Sequence, residues 1–471
     1  MKEKRERLSF KQKFIGDKAF YRRVLYIAVP IMIQNAISNF VGMLDNIMVG
    51  RLGTEAMSGV SIVNQLVFVY FLCMFGGCAG AGIYTAQFYG KGDEEGIRNT
   101  FRFKIWIMVG ISVAATAIFL LFGKELIGLY LNGSEEEGDL ALAASSGWEY
   151  LKIILLSMPF FMVLQVYAST LRECGETVLT MKAGLCAVFV NLIFNYLLIY
   201  GKFGFPELGV KGAAYATMLS RAVEMSIVVV WTHVKKEKNP YIVGMYRTLK
   251  VPLDIAKNCF FKGLPLLVNE TLWATGVAIL TQAYSTRGLN VVAGINIVNT
   301  INNVFNVVFI AMGDTVAIII GQLLGAGKLK EARDTDNKLI FFSVSASIVT
   351  ALMMACVSPF FPMLYDTSDA VKTLATEFII AQAIFMPQAA FMHASYFTLR
   401  SGGKTIVTFL FDSVFMLVVS VPLGFALSRF TDIPALWILV FVQMADWIKC
   451  AIGFILVKKG IWIQNLVTKE V

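Results

Sequence analysis

The hexapeptide Gln87-Phe88-Tyr89-Gly90-Lys91-Gly92 returns 235 positions later as Gln322-Leu323-Leu324-Gly325-Ala326-Gly327. The same shift carries Pro30 onto Pro265, Gly53 onto Gly288, Ile62-Val63-Asn64 onto Ile297-Val298-Asn299 and Arg98 onto Arg333, without a gap. Further along, a shift of 228 places Met158-Pro159 on Met386-Pro387, Leu171-Arg172 on Leu399-Arg400, Thr177 on Thr405 and Pro206 on Pro434. Only seven residues separate the two registers, so one half of the 471-residue chain copies the other.

The motifs are set in long apolar runs such as Ile105 to Phe122, Leu264 to Ala283 and Leu339 to Phe361. A soluble core helix would show a polar stripe every turn. Composition agrees: 57% of residues are hydrophobic and 15% charged, against about 45–50% and about 25% in soluble domains, which excludes a soluble enzyme. Breaking the runs at Gly, Pro and charge clusters predicts twelve helices over 22–49, 54–88, 96–122, 140–168, 178–200, 209–234, 257–285, 290–323, 332–362, 370–398, 404–429 and 433–457. Six per copy is an even number, so both copies enter the bilayer from the same side. The predicted fold is an all-α integral membrane protein with two six-helix lobes related by a pseudo-two-fold axis along the membrane normal. Two lobes of this kind suit a transporter that opens a cleft alternately to each side.

The net charge of +9 has a topological explanation. Thirty-one Lys and Arg fall on the side that holds both termini, seven fall on the other, and Lys152, Arg221 and Lys449 lie inside spans. The bias places both termini in the cytoplasm of a multi-pass plasma-membrane protein and the acidic Glu135–Asp139 loop outside. The partners expected from this charge are membrane lipids and not nucleic acid. The boundaries are then a basic N-terminus 1–21, an N-lobe 22–234, a cytoplasmic linker 235–256, a C-lobe 257–457 and a tail 458–471. Seven cysteines without a CxxC, and two distant histidines, give neither a disulfide framework nor a zinc site. No cofactor is expected. No apolar stretch with a cleavage site precedes the first span, so nothing is expected to be removed.

Charge is expensive in hydrocarbon, so carboxylates within the spans are functional candidates unless paired. Glu149 with Lys152, Arg221 with Glu224 and Asp446 with Lys449 are spaced i, i+3 and are expected to pair locally. Asp412 lies near a helix start. Asp45, Glu270 and Asp314 have no such neighbour. Asp45 shares a face with Gln34 and Ser38, and Asn191 and Asn195 offer two amides from the fifth span. A carboxylate with amide oxygens makes a proton or hard-cation site, Na⁺ included; the alternative is that Asp45 is only hydrated at a helix end. In the seventh span Pro265 precedes Asn269, Glu270 and Trp273 within two turns. The eighth carries Asn299, Asn302, Asn303 and Asn306 on one face, which cannot meet lipid cheaply and must face protein or a wet cavity. With Trp273, Tyr284, Gln382, Gln388, His393 and Tyr396 they would suit an organic cation attracted by aromatic faces and a carboxylate.

Several motifs in order resemble the multidrug and toxic compound extrusion (MATE) family over roughly residues 20 to 460. They are Asp45 through Gly53, Gln87 through Gly92 with its echo at Gln322 through Gly327, Leu171 through Thr177 with its echo at Leu399 through Thr405, and Asn191-x3-Asn195 leading to Tyr200-Gly201. The resemblance implies export of organic cations by antiport against H⁺ or Na⁺, with a coupling site built on Asp45 and the positions of Asn191 and Asn195. Many members have Asp where this chain has Asn195. It also implies a substrate region around Glu270, since the tenth span offers Gln388 and no mid-span carboxylate. A small-molecule exporter acting as a monomer is the expected function. The competing expectation is a lipid-linked-oligosaccharide flippase of the same superfamily, which would need basic groups for pyrophosphate. No clustered catalytic constellation suggests an enzyme.

Overall fold

Helices of the length that a bilayer demands account for nearly all of the chain. The computed structural model describes residues 10–131 and 139–468; the Glu135–Glu137 acidic run and the first nine residues lie outside the described part. Among the described residues there is no β-strand, and twelve helices are long and apolar enough to cross a membrane. The long helices are α1 (Lys18–Gly50), α2 (Thr54–Lys91), α3 (Glu94–Leu131), α4 (Leu140–Glu173), α5 (Thr177–Tyr200) and α6 (Val210–Val234) in the first half of the chain. The second half has α7 (Leu253–Ser285), α8 (Leu289–Phe305), α9 (Val307–Gly325), α10 (Leu329–Val357), α11 (Asp369–Ser401), α12 (Thr405–Phe430) and α13 (Ala435–Lys459).

One predicted element is corrected. The eighth span, expected as one helix over 290–323, is two helices that meet at Asn306. Its repeat partner α2 runs unbroken through Phe71. The difference follows the side chains: where α2 has Val67, Phe68 and Phe71 the eighth span has amides, which compete with the backbone for hydrogen bonds.

The chain divides into two compact units. One holds Ile33–Thr85 and Glu94–Leu267; the other holds the described residues of Met1–Met32, Ala86–Asp93 and Val268–Val471. Within the second, the repeated hexapeptides explain each other. A Cβ on Gly90 would collide with the backbone of Gln322, and one on Gly325 with the backbone of Gln87, so the two helix ends touch through glycine. The Gln87 side chain then accepts from the Leu466 N–H at 2.7 Å and donates to Ser401 O at 3.0 Å, which ties down the segment after α13.

In the first unit the linker follows α3 residue for residue. Arg98 donates to Tyr241 O, Arg102 to Met245 O and Trp106 to Leu249 O, at 3.1, 3.1 and 3.0 Å. The donors recur every four residues because they share one helix face. Deeper in the same helix Lys104, with no exposure, is 2.5 Å from Glu173 and also donates to Ser169 and Thr170. Counted with the loop charges in the sequence, Lys104 is a fully buried cation. Gly82 makes room for its partner, since a side chain there would strike the Glu173 carboxylate.

Candidate functional site

Asp45 lies five residues before the end of α1, where the side chain opens into a cavity of about 350 Å³ within the first unit. α2 supplies Asn64, Phe68 and Phe71, α4 supplies Tyr150 and Phe161, and α6 supplies Thr217 and Arg221. The wall thus combines five aromatic rings with aliphatic side chains and a few convergent polar groups, the usual make-up of a small-molecule site. Tyr150 OH donates to Asn64 Oδ1 at 3.4 Å.

From α5, Asn195 donates through Nδ2 to Asp45 Oδ1 at 2.5 Å and to Asn191 Oδ1 at 3.1 Å. Asn191 in turn donates to Thr217 Oγ1 at 3.4 Å. Both asparagines are buried. The structure therefore brings together Asp45, Asn191 and Asn195, as the spacing suggested. It also leaves Asn195 Oδ1 buried with no hydrogen-bond partner among the described residues. An orphaned acceptor is costly, so a neighbouring carboxylate and amide oxygen fit a bound monovalent cation or an added proton. No cluster of three or more His, Cys, Asp or Glu is present among the described residues, which does not suit a divalent metal held by carboxylates.

The cavity also holds a group that the sequence placed only in a local pair. Arg221 is 2.8 Å from Glu224 and lies over the Phe161 ring at 5.6 Å. The expected pairing of Arg221 with Glu224 is observed. That of Glu149 with Lys152 is not, because Glu149 reaches Lys211 of α6 at 3.1 Å.

In the second unit, Asn269 is buried and central. It donates to Asp412 Oδ2 at 3.1 Å and to Tyr396 OH at 3.4 Å, and accepts from Ser413 Oγ at 2.7 Å. Asp412, seven residues after the start of α12, is paired: Lys449 lies 3.4 Å from its other oxygen, in place of the expected Lys449–Asp446 pair. Glu270 is half-buried, within electrostatic reach of Arg400, Asp412 and Asp314. Trp273, Asn299 and Asn303 are exposed, and Asn302 and Asn306 are half-buried. Tyr284 and Gln388 sit apart from this group. Tyr284 belongs to an apolar cluster with Val291 and Ile295, and the buried Gln388 donates to Gln443 O at 3.0 Å. Ser413 was missed, and the link of Lys449 to this group through Asp412 was not foreseen, because Ser413, Tyr396 and Lys449 come from three different helices. One signal was available: at the 228-residue shift Arg221 falls on Lys449, so the two internal cations hold equivalent places.

A family model, MatE, matches residues 30–197 and 265–426, one stretch in each copy of the repeat. The chain belongs to the MatE family. Curated relatives include the probable multidrug resistance protein NorM of Thermotoga maritima, 25% identical over 427 residues and covering 88% of each chain. Another is the multidrug resistance protein PmpM of Pseudomonas aeruginosa, 26% identical over 460 residues, covering 96% of this chain and 88% of the relative. Among solved structures, a multidrug resistance MATE family transporter of the MOP superfamily in an outward-facing conformation superposes with TM-score 0.84 at 19% identity, over 97% of this chain and 98% of that one. A MOP superfamily transporter from Pyrococcus furiosus, described by the reverse polarity of its binding pocket, gives TM-score 0.82 at 18% identity, again over 97% and 98%. The shared fold is that of MatE membrane transporters, not of an enzyme.

Proposed function

We propose that the protein is a secondary active multidrug exporter that moves organic cations and other amphipathic compounds out of the cell by antiport against H⁺ or Na⁺. The observation that carries this is the pairing of Asp45 with an asparagine whose own oxygen is buried and has no partner among the described residues. When a driving cation binds there, the carboxylate is neutralised and Asn195 Oδ1 gains a partner. When it leaves, the Asn195 amide holds the carboxylate in place. The buried asparagines Asn191 and Asn195 keep this exchange out of bulk water, and the aromatic wall around Asp45 accepts an amphipathic guest. Substrate recognition is assigned to Glu270, Trp273, Asn269, Asn299, Asn302, Asn303 and Asn306; Tyr284 and Gln388, expected with them, are engaged elsewhere in the second unit. The protein acts as a monomer in the plasma membrane, with both termini cytoplasmic, lipid as its surroundings and no cofactor beyond the coupling ion. The first lobe is taken as 22–234 and the second as 257–457.

A lipid-linked-oligosaccharide flippase is disfavoured. Pyrophosphate recognition needs free basic groups, and the guanidinium that lines the cavity is already engaged by Glu224. The test is drug-dependent uptake of a fluorescent organic cation into everted membrane vesicles, energised in turn by a pH gradient and by a Na⁺ gradient. Uptake under one gradient and not the other identifies the coupling ion, and uptake under neither overturns the proposal.

A further inference from the structure

The last long helix of each half carries one internal cation at an equivalent place, but the two are neutralised differently. Arg221 takes its partner from its own helix, and the Glu224 carboxylate lies beside Gly184 of α5. At the 228-residue shift Gly184 falls on Asp412 and Glu224 on Ile452. In the second half the acid has therefore moved to the facing helix α12, and Lys449 must reach across to it.

What surrounds Lys449 is a cation seat. Its side chain is only 10% exposed, its ammonium is 3.4 Å from Asp412, and it lies 5.5 and 5.9 Å from the Phe415 and Phe411 rings. A carboxylate with two aromatic faces is the chemistry that recognises a lipophilic organic cation. The seat is built in advance. Asn269 holds the second Asp412 oxygen, and α12 departs from regular α-helix into π-helical turns over Leu410–Val414 and Met416–Ser420, which bracket Phe415. One turn back on α13, Asp446 Oδ1 is buried with no hydrogen-bond partner among the described residues. At i, i+3 it shares a face with Lys449.

We propose that Lys449 is a tethered cation that occupies the seat formed by Asp412, Phe411 and Phe415, and that a lipophilic organic cation binds there by displacing its ammonium onto Asp446. The inference rests on the export reading above and names where that reading's cationic substrates are held. The physical reason for the tether is charge balance. Leaving Asp412 unpaired in a low-dielectric site is costly, so the lysine fills the seat whenever substrate is absent, and Asp446 receives it when substrate arrives. A merely structural lysine has no need of a second carboxylate with an unsatisfied oxygen one turn away.

The test uses the full chain in lipid nanodiscs, with tetraphenylphosphonium as the cation and triphenylphosphine oxide as a neutral compound of similar shape. The readout is the ratio of the two affinities. Lys449→Gln empties the seat and should raise the ratio about tenfold; Asp446→Asn removes the receiving carboxylate and should lower it about tenfold. Adding Asp412→Asn to Lys449→Gln should cancel the gain. An unchanged or lowered ratio in Lys449→Gln with an unaltered thermal transition overturns the proposal, as does an unchanged ratio in Asp446→Asn. If Lys449→Gln does not fold, Asp446→Asn decides alone, since it leaves the Asp412–Lys449 pair in place. The export reading fails separately, if the wild-type chain moves no compound under either gradient while the binding ratios still shift.

Discussion

Asn195 gives its amide hydrogen to Asp45 at 2.5 Å and keeps its own Oδ1 buried without a donor among the described residues. Asp45 lines the cavity and Asn195 is buried beside it, and the proposed ion coupling rests on Asp45.

Asp45→Asn preserves the shape of the site and removes its charge. Gradient-driven uptake into everted vesicles should disappear while the amount of folded protein in the membrane is unchanged. One charge moved across 100 mV supplies about 2.3 kcal/mol, roughly a 50-fold concentration ratio, so the loss should be complete within assay noise. Full gradient-driven transport by this variant would remove the coupling role from Asp45.

Glu270 is half-buried and close in charge terms to Arg400, Asp412 and Asp314. Glu270→Gln should weaken cationic substrates by about three- to tenfold and neutral ones by less, because the lost attraction is partly screened by solvent. Equal loss for both classes, measured as apparent KM for a charged and an uncharged dye, would indicate structural damage instead.

Asn299 and Asn303 are exposed on α8, and Asn302 and Asn306 are half-buried. Single cysteines at 299 and 303 should react readily with a membrane-impermeant, hydrophilic maleimide, and those at 302 and 306 more slowly. The background must lack the exposed Cys186 and Cys356 at least. Labelling confined to apolar reagents would mean that this face meets lipid.

Lys104 and Glu173 form a buried pair whose hydrogen bonds are completed by Ser169 and Thr170. Removing one partner strands the other, so Lys104→Met or Glu173→Gln should each cost about 3–5 kcal/mol and lower the thermal midpoint in detergent by many degrees. The double variant Lys104→Met/Glu173→Leu should recover part of that loss. A double variant no more stable than the worse single one would show that the pair is not coupled.

The amino-acid sequence by itself determined the membrane class, the number of spanning segments, the duplication and the meeting of Asp45 with the α5 asparagines. These are properties of composition, helical period and register, and they survive any detail of packing because the bilayer admits few alternatives. Tertiary structure decided which charges pair. Spacing of three residues predicted Glu149 with Lys152 and Asp446 with Lys449, yet each chose a partner on another helix, Lys211 for Glu149 and Asp412 for Lys449. A local pair is worth only a few tenths of a kcal/mol, less than the difference made by burial against one neighbouring helix and not another. The same holds for Lys104, which reads as one loop cation among several and is fully buried because Gly82 leaves room for Glu173 beside it. The break at Asn306 was legible only in part. Four amides in an apolar span signalled an unusual surface, but where the helix divides depends on what each carbonyl and amide finds once its neighbours are in place.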